Sequence, residues 1–227
     1  MLRLRQVVVA ATDLAATRTQ IEDRLGLPHV WADPGVGYFG LRNALYAIGD
    51  TFLEVVSPTT HDAPARRFLD RTGRDAGYMA IVQTTDPLEE VGARADDLGI
   101  RIVFTAEGDA VTGMHFHPGD TDGTLLSIDR CDTDASWPWA GPAWEAAPDR
   151  GYGGVTRAAF AVADPAKVAR RWAALLGADA DGTQIALDGA RLEFVPTSAD
   201  RSGLCEVDLA GPPRDPTDIA GVRFTSR

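Results

Sequence analysis

A short pattern that occurs three times constrains the fold of this 227-residue chain more than any other feature. Each copy has a strand-like apolar run, an aspartate, an amphipathic stretch and, thirteen residues after the aspartate, a glycine; the pairs are Asp13 and Gly26, Asp86 and Gly99, and Asp164 and Gly177. Aspartate is a preferred helix N-cap, and glycine readily takes the left-handed conformation that ends a helix. The sequence therefore predicts three units that each begin with a strand and a helix.

Extended segments follow the first two helices and complete two βαβββ units. They are expected near residues 36–39, 43–48 and 52–56 in the first unit, and near 100–104, 112–117 and 124–129 in the second. Glu54 lies 41 residues after Asp13, and Ser127 lies 41 residues after Asp86. The equal offset predicts that Glu54 and Ser127 occupy the same strand of successive units.

The rest of the chain predicts a third βαβββ unit and a truncated fourth that lacks its helix, which gives an α+β fold class. The third unit is shorter, because Glu193 follows Asp164 by only 29 residues. The expected organisation is residues 1–130 for the paired units, 131–151 for a Pro/Trp-rich linker, and 152–227 for the third unit with the truncated fourth. The linker tryptophans are expected to pack on other parts of the chain, since exposed in a row they would form a sticky patch.

The paired units resemble the vicinal oxygen chelate superfamily, which includes glyoxalases, methylmalonyl-CoA epimerases, extradiol dioxygenases and bleomycin-resistance proteins. The resemblance rests on GLRNALYAIGDTFLEVV, which closes the first unit, and HPGDTDGTLLSI, which closes the second. The stretch from Arg42-Asn43 to Glu54 is most similar to the glyoxalase-like domain branch. The resemblance implies that the units form a cupped mixed sheet and that catalytic members hold a divalent metal in the cup.

The resemblance also implies where the metal ligands would lie: seven residues before each capping aspartate, and on the last strand of each unit. Those positions are Gln6, Met79, Glu54 and Ser127. Only Glu54 is a strong ligand for a hard cation, since Met79 offers a soft thioether and Ser127 a neutral hydroxyl. We therefore expect no complete metal site and no cofactor. In the third unit the matching Arg157 and Glu193 predict a salt bridge.

Glu54 is the main candidate for function. Strand alternation puts it on the face that lines the cup, where burial without a full charge partner would raise its pKa and suit it to acid–base catalysis or ligand binding. The alternative is that Glu54 only accepts hydrogen bonds. The expected ligand contacts are Gln6, Glu54, Met79, Ser127, Tyr38 and Phe52, and Phe116 and Trp31 are further candidates for the wall of the cup.

A second hypothesis places a metal on Glu54 with His115 and His117, which lie two apart on one strand and so share a face. The hairpin register decides whether that face is the cup. A six-residue loop over 118–123 would oppose Met114 to Ser127 and turn both histidines away, and a loop one residue longer or shorter would reverse this. The first register is expected.

Composition excludes several function classes. A net charge of −11 disfavours nucleic acid as a partner. No apolar run approaches the ~20 residues of a membrane span, and the apolar stretch near the amino terminus is too short for a signal peptide. The two cysteines cannot form a disulfide framework, so a cytoplasmic protein is expected.

The function expected from the sequence is metal-independent binding of a small molecule in the cup of the first two units, as in bleomycin-resistance proteins. The alternative is a lyase, epimerase or dioxygenase that uses zinc, iron, nickel or manganese on Glu54 with His115 or His117. A homodimer is a further expectation left open, since the strand edges of the truncated unit need covering.

Overall fold

The computed structural model describes residues 1–148, 150–197 and 202–227. The chain begins with β1 (Leu2–Ala10), α1 (Leu14–Leu25), β2 (His29–Trp31), a 3₁₀ helix (Pro34–Phe39), β3 (Leu41–Ile48) and β4 (Thr51–Pro58). It continues with α2 (Pro64–Thr72), β5 (Ala76–Thr84), α3 (Leu88–Asp97), β6 (Ile102–Gly108), β7 (Val111–Phe116) and β8 (Leu125–Cys131). These elements correspond to the first two repeat units.

The remaining elements follow two short 3₁₀ helices, Pro138–Ala140 and Trp144–Ala146. They are β9 (Gly154–Val162), α4 (Pro165–Leu176), β10 (Ala180–Asp181), β11 (Gln184–Leu187), β12 (Ala190–Pro196), β13 (Gly203–Ala210), β14 (Arg214–Ile219) and β15 (Val222–Ser226). No helix falls between β13 and β14, so the fourth unit is truncated as the sequence predicts.

Two mixed sheets carry the repeat. The first has the order β2-β3-β4-β1-β5-β8-β7-β6 and the second the order β10-β11-β12-β9-β13-β15-β14. In the first sheet β1 pairs parallel with β4 and antiparallel with β5, and β5 pairs parallel with β8. This arrangement confirms the predicted α+β fold of repeated βαβββ units.

The two sheets share one apolar core. It includes Val7 and Val9 of β1 together with Ala158 and Phe160 of β9. Helix α1 packs beside β14 of the truncated unit, where Arg24 donates to the carbonyl oxygen of Asp218 at 3.1 Å. An element of the first unit therefore covers a strand of the unit that lacks its own helix.

Helix capping follows the sequence prediction in two of three cases. The Asp13 carboxylate accepts from the amide of Ala16, and the Asp164 carboxylate accepts from the amide of Lys167. The predicted cap at Asp86 is wrong. There the helix begins at Leu88 after Pro87, and the Asp86 carboxylate instead pairs with Arg94 at 3.0 Å.

Two further local features differ from the sequence analysis, one a corrected prediction and one a helix for which no prediction was made. The strand expected near 36–39 is a 3₁₀ helix, because Asp33 accepts from the amide of Gly35 and Pro34 occupies the first position. Helix α2 was not expected, since no aspartate caps it and it belongs to no repeat. Among the described residues, no helix is long and apolar enough to cross a bilayer.

Candidate ligand-binding site

The first sheet curls around a cavity of about 1270 Å³. Its two edges meet through aromatic rings. The ring centroid of Phe39, from the 3₁₀ helix beside β3, lies 4.9 Å from that of Phe104 on β6, and the ring centroid of Tyr38 lies 5.9 Å from it. Phe104 in turn contacts the His115 ring at 5.6 Å. These contacts close the curled sheet over the cavity, and the 80% exposed Tyr38 stands at its mouth.

Glu54 is the buried polar centre of this cavity. It lies on β4 beside Val8 of β1, and only 7% of it is exposed. One carboxylate oxygen accepts from the side-chain amide of Gln6 at 2.7 Å, and the other accepts from the side-chain amide of Asn43 at 2.6 Å. Both amides therefore point their N–H groups at the carboxylate.

The orientation of the two amides is fixed by their other neighbours. The indole N–H of Trp137 donates to Oε1 of Gln6 at 2.9 Å, and the backbone N–H of Asp33 donates to Oδ1 of Asn43 at 2.9 Å. Indole and backbone N–H groups can only donate, so each amide must present its oxygen to them. The linker and the 3₁₀ helix thereby position the groups that hold Glu54.

Burial raises the pKa of Glu54 from its ordinary value to about 7. The negative charge of Asp33 acts in the same direction, while the hydrogen bonds from Asn43 and Gln6 oppose the rise by stabilising the carboxylate. A carboxyl with this pKa exchanges its proton near neutral pH. Glu54 can thus accept or donate a proton as well as anchor a ligand.

Asp129 is a second buried carboxyl in the cavity wall, and the sequence reasoning missed it. The indole N–H of Trp139 donates to one of its oxygens at 2.7 Å, and the hydroxyl of Ser127 donates to the other. Burial raises the pKa of Asp129 to about 7, while these two hydrogen bonds oppose the rise. Strand alternation from Ser127 to Asp129 was the signal that could have found it.

The linker closes one end of the cup. Trp137 is fully buried, and its ring stacks on Phe52 at 6.5 Å, while Trp144 meets Phe52 edge-on at 5.1 Å. Phe52 is therefore a core residue beneath the linker and does not line the cavity, contrary to expectation. Because Trp137 and Trp139 come from one short segment, the linker supports both Glu54 and Asp129.

The hairpin register predicted for β7 and β8 is wrong. His115 pairs with Ser127 and Met114 with Ile128, so the loop is one residue longer than assumed. The hydroxyl of Thr121 bonds the carbonyl of Thr124 at 2.6 Å and holds that residue in the turn instead of the ladder. His115 consequently lines the cavity, where burial lowers its pKa to about 4 and keeps the ring neutral.

The same shift in register corrects the prediction that Phe116 lines the cup. Phe116 pairs with Leu126 and lies fully buried in the core shared by the two sheets. Trp31, also expected in the wall, instead packs beside the linker, where a side chain at Gly141 would collide with its ring. Neither aromatic residue contributes to the cavity surface.

The alternative metal site on Glu54, His115 and His117 is not assembled. Nδ1 of His117 accepts from the backbone amide of Gly119 at 3.0 Å and lies 3.0 Å from the Arg101 guanidinium, at the end of its strand. In the part of the chain that the structure describes, no three His, Cys, Asp or Glu residues lie close enough to hold a metal. His115 and Glu54 thus remain separate groups in the cavity wall.

The four positions implied for a superfamily metal do not fit one either. The Gln6 oxygen faces the Trp137 indole while its N–H group faces Glu54, and the Ser127 hydroxyl donates to Asp129. Met79 lines the cavity but offers only sulfur, which suits soft metals. Ser127 is fully buried, and its hydroxyl is engaged by Asp129.

The corresponding positions in the second sheet form an ion-pair cluster. The guanidinium of Arg157 donates to the carboxylate of Glu193, as the sequence predicts. It also pairs with Glu206 at 2.9 Å and approaches Asp208 at 3.6 Å. The third-unit positions that correspond to Gln6 and Glu54 are therefore occupied by an ion pair.

Comparison with known proteins places the chain in a family. The sequence profile of the glyoxalase-like domain matches residues 7–176, which is more than half of the chain. The chain therefore belongs to the glyoxalase-like domain family of the vicinal oxygen chelate superfamily. No curated protein sequence matches it.

Solved structures show the same fold at low identity. A variant of Streptomyces coelicolor methylmalonyl-CoA epimerase in complex with 2-nitronate-propionyl-CoA has a TM-score of 0.51 and 21% identity, over 58% of this chain and 98% of that chain. The methylmalonyl-CoA epimerase from Mycobacterium tuberculosis has a TM-score of 0.50 and 23% identity, over 63% and 91%. A hypothetical protein from Bacillus halodurans has a TM-score of 0.52 and 16% identity, over 60% and 99%.

Proposed function

We propose that this glyoxalase-like protein binds a small molecule in the cup of its first sheet, with Glu54 as the anchor and without a divalent metal. The observation that carries the proposal is the hydrogen-bond chain from Trp137 through Gln6 to Glu54. The Gln6 oxygen that a cation would need faces the Trp137 indole, and Gln6 presents its N–H group to Glu54 instead. The side-chain amides of Gln6 and Asn43 therefore hold the Glu54 carboxylate in the place of a metal.

The cavity has the character of a ligand site. Small-molecule sites are enclosed and mainly apolar, with a few positioned polar groups. Here Val8, Leu45 and Val56 line the wall around Glu54, and aromatic rings cover the space. Leaving a carboxyl buried in such a cavity costs folding free energy, which is typical of functional sites.

A ligand screen by thermal shift tests this proposal. The matched variants are Glu54→Gln and Glu193→Gln, which make the same change at corresponding positions of the first and third units. We expect compounds that stabilise the wild-type protein and the Glu193→Gln variant but bind the Glu54→Gln variant about tenfold more weakly, and that still bind after chelator treatment. Ligands bound equally by the Glu54→Gln variant, or lost with chelator, would contradict the proposal.

A second candidate function is proton transfer at carbon, as in an epimerase. It is favoured by the pKa of about 7 for both Glu54 and Asp129, which places two acid–base groups in one cavity. The fold neighbours include methylmalonyl-CoA epimerases. Exchange of the α-proton of methylmalonyl-CoA in D₂O, followed by mass spectrometry, would show this activity. Exchange is expected to stop in the Asp129→Asn variant if Asp129 takes part.

A further inference from the structure

Helix α2 forms one side of the cavity mouth and presents two arginines there. Arg67 and Arg71 both line the cavity, and their spacing of four residues puts them on one face of the helix. Phe68, between them, is buried and contacts the ring of Tyr78 at 5.0 Å. This contact fixes the helix, so the position of the two guanidinium groups is built into the fold.

Among the described residues neither guanidinium forms an ion pair, although the chain has 33 acidic side chains against 22 basic ones. The charge of Arg67 does act on the exposed carboxylate of Asp62, where it helps to lower the pKa. Arg67 donates to the backbone carbonyl of Asp62, and Arg71 lies over the Phe68 ring at 5.6 Å. The acidic residues that line the cavity come from other elements: Glu107 from β6, Asp122 from the β7–β8 loop, Asp33 from the residue before the 3₁₀ helix, and the buried Glu54 and Asp129 from β4 and β8. The α2 side therefore carries positive charge that no ion pair among the described residues neutralises.

Tyr78 connects this positive charge with Glu54. Burial raises the pKa of the Tyr78 phenol to about 12, the charges of Arg67 and Arg71 act to lower it, and the charge of Glu54 acts to raise it. The phenol is thus within electrostatic reach of the two guanidinium groups and of the buried carboxylate. A small molecule lying along Tyr78 would contact the two guanidinium groups with its outer end and Glu54 with its inner end.

We propose that Arg67 and Arg71 form an anion-binding subsite at the mouth, so that the ligand of the cup carries a carboxylate or a phosphate at its outer end. Guanidinium groups bind both anions through paired N–H donors. When Glu54 is ionised, the inner end donates a hydrogen bond to it, because an ionised carboxylate can only accept. This inference rests on the proposed function and adds the chemical class of the ligand.

Calorimetric titration with three probes tests the subsite: malonate, inorganic pyrophosphate, and malonamide as the uncharged counterpart of malonate. The proteins are wild type, the double variant Arg67→Ala/Arg71→Ala, and Arg170→Ala, which removes the same charge from an exposed position on α4. We expect at least one anion to bind the wild type and the Arg170→Ala variant with the same affinity. The same anion should bind the double variant at least about tenfold more weakly. Malonamide should not bind measurably, and added salt should weaken anion binding.

The malonate and pyrophosphate arms separate a carboxylate ligand from a phosphate ligand. Equal binding of the anions by the double variant, equal binding of malonamide, or no binding of either anion to the wild type at about 10 mM would overturn the inference. The Glu54→Gln screen reports separately on the proposed function. If anion binding depends on the arginines but no compound depends on Glu54, the anion subsite stands and the proposed role of Glu54 fails. If compounds depend on Glu54 but anion binding does not depend on the arginines, the proposed function stands and the subsite fails.

Discussion

Changing Glu54 to glutamine should make the protein lose a specific dependence of stability on pH. Burial raises the pKa of Glu54 to about 7, whereas the ordinary value is 4.5. Between these values the folded protein holds a proton that the unfolded chain has released, so the free energy of unfolding falls as pH rises. The contribution is fully present below pH 4.5 and is lost above about pH 7. At 1.36 kcal/mol for each pH unit, it amounts to about 3 kcal/mol.

Urea unfolding at pH 5, 6, 7 and 8, followed by tryptophan fluorescence, measures this contribution. The Glu54→Gln variant loses stability at every pH, because its new N–H group faces an N–H donor, from either Gln6 or Asn43, that had bonded a carboxylate oxygen. The informative quantity is the wild-type free energy of unfolding minus that of the variant, which should fall by about 3 kcal/mol from pH 5 to pH 8. Glu89→Gln, on the exposed start of α3, subtracts the general effect of replacing a carboxylate with an amide. A difference that stays constant, or that grows with pH, would refute the reasoning.

Three further variants probe the surroundings of the site. Trp137→Phe leaves the buried Gln6 oxygen without its donor, so unfolding measurements should show a loss of about 1–3 kcal/mol, and a stability equal to wild type would contradict the role of the indole. Gly113→Ala brings a Cβ to 2.6 Å from the Asp129 carboxylate, so it should destabilise the fold by about 1–3 kcal/mol. It should also weaken ligand binding more than the control Gly92→Ala in α3 does. Unchanged ligand binding would count against Asp129 as part of the cavity wall. Gly77→Ala collides with the backbone carbonyl of Leu204 where β5 meets β13, so thermal unfolding should show a loss of about 3 kcal/mol, and a neutral effect would argue against that contact between the sheets.

The fold was readable from the sequence because the repeat expresses local rules. Asp13 and Asp164 cap their helices with their own side chains, and Gly26 and Gly177 end them in the left-handed conformation. The salt bridge of Arg157 followed from its position in the repeat. These features depend on near neighbours or on the repeat spacing, which a single sequence contains.

The candidate site was only partly readable because it depends on contacts that are distant in sequence. The carboxylate of Glu54 could be placed on the cup face by alternation, but Trp137, the linker residue that holds Gln6, lies 131 residues after Gln6 in the sequence. A single loop residue decided whether His115 faced the cavity or the core. The arginines of α2 belong to no repeat, so nothing in the spacing indicated that they reach the cavity.

Elemental analysis of protein purified without chelator tests the central claim most directly. If the cup holds its ligand through Glu54 without a divalent cation, the wild type and the Glu54→Ala variant should both carry well under about 0.1 equivalents of zinc, iron, nickel or manganese. About one equivalent of any of these metals in the wild type, lost in the Glu54→Ala variant, would contradict the account.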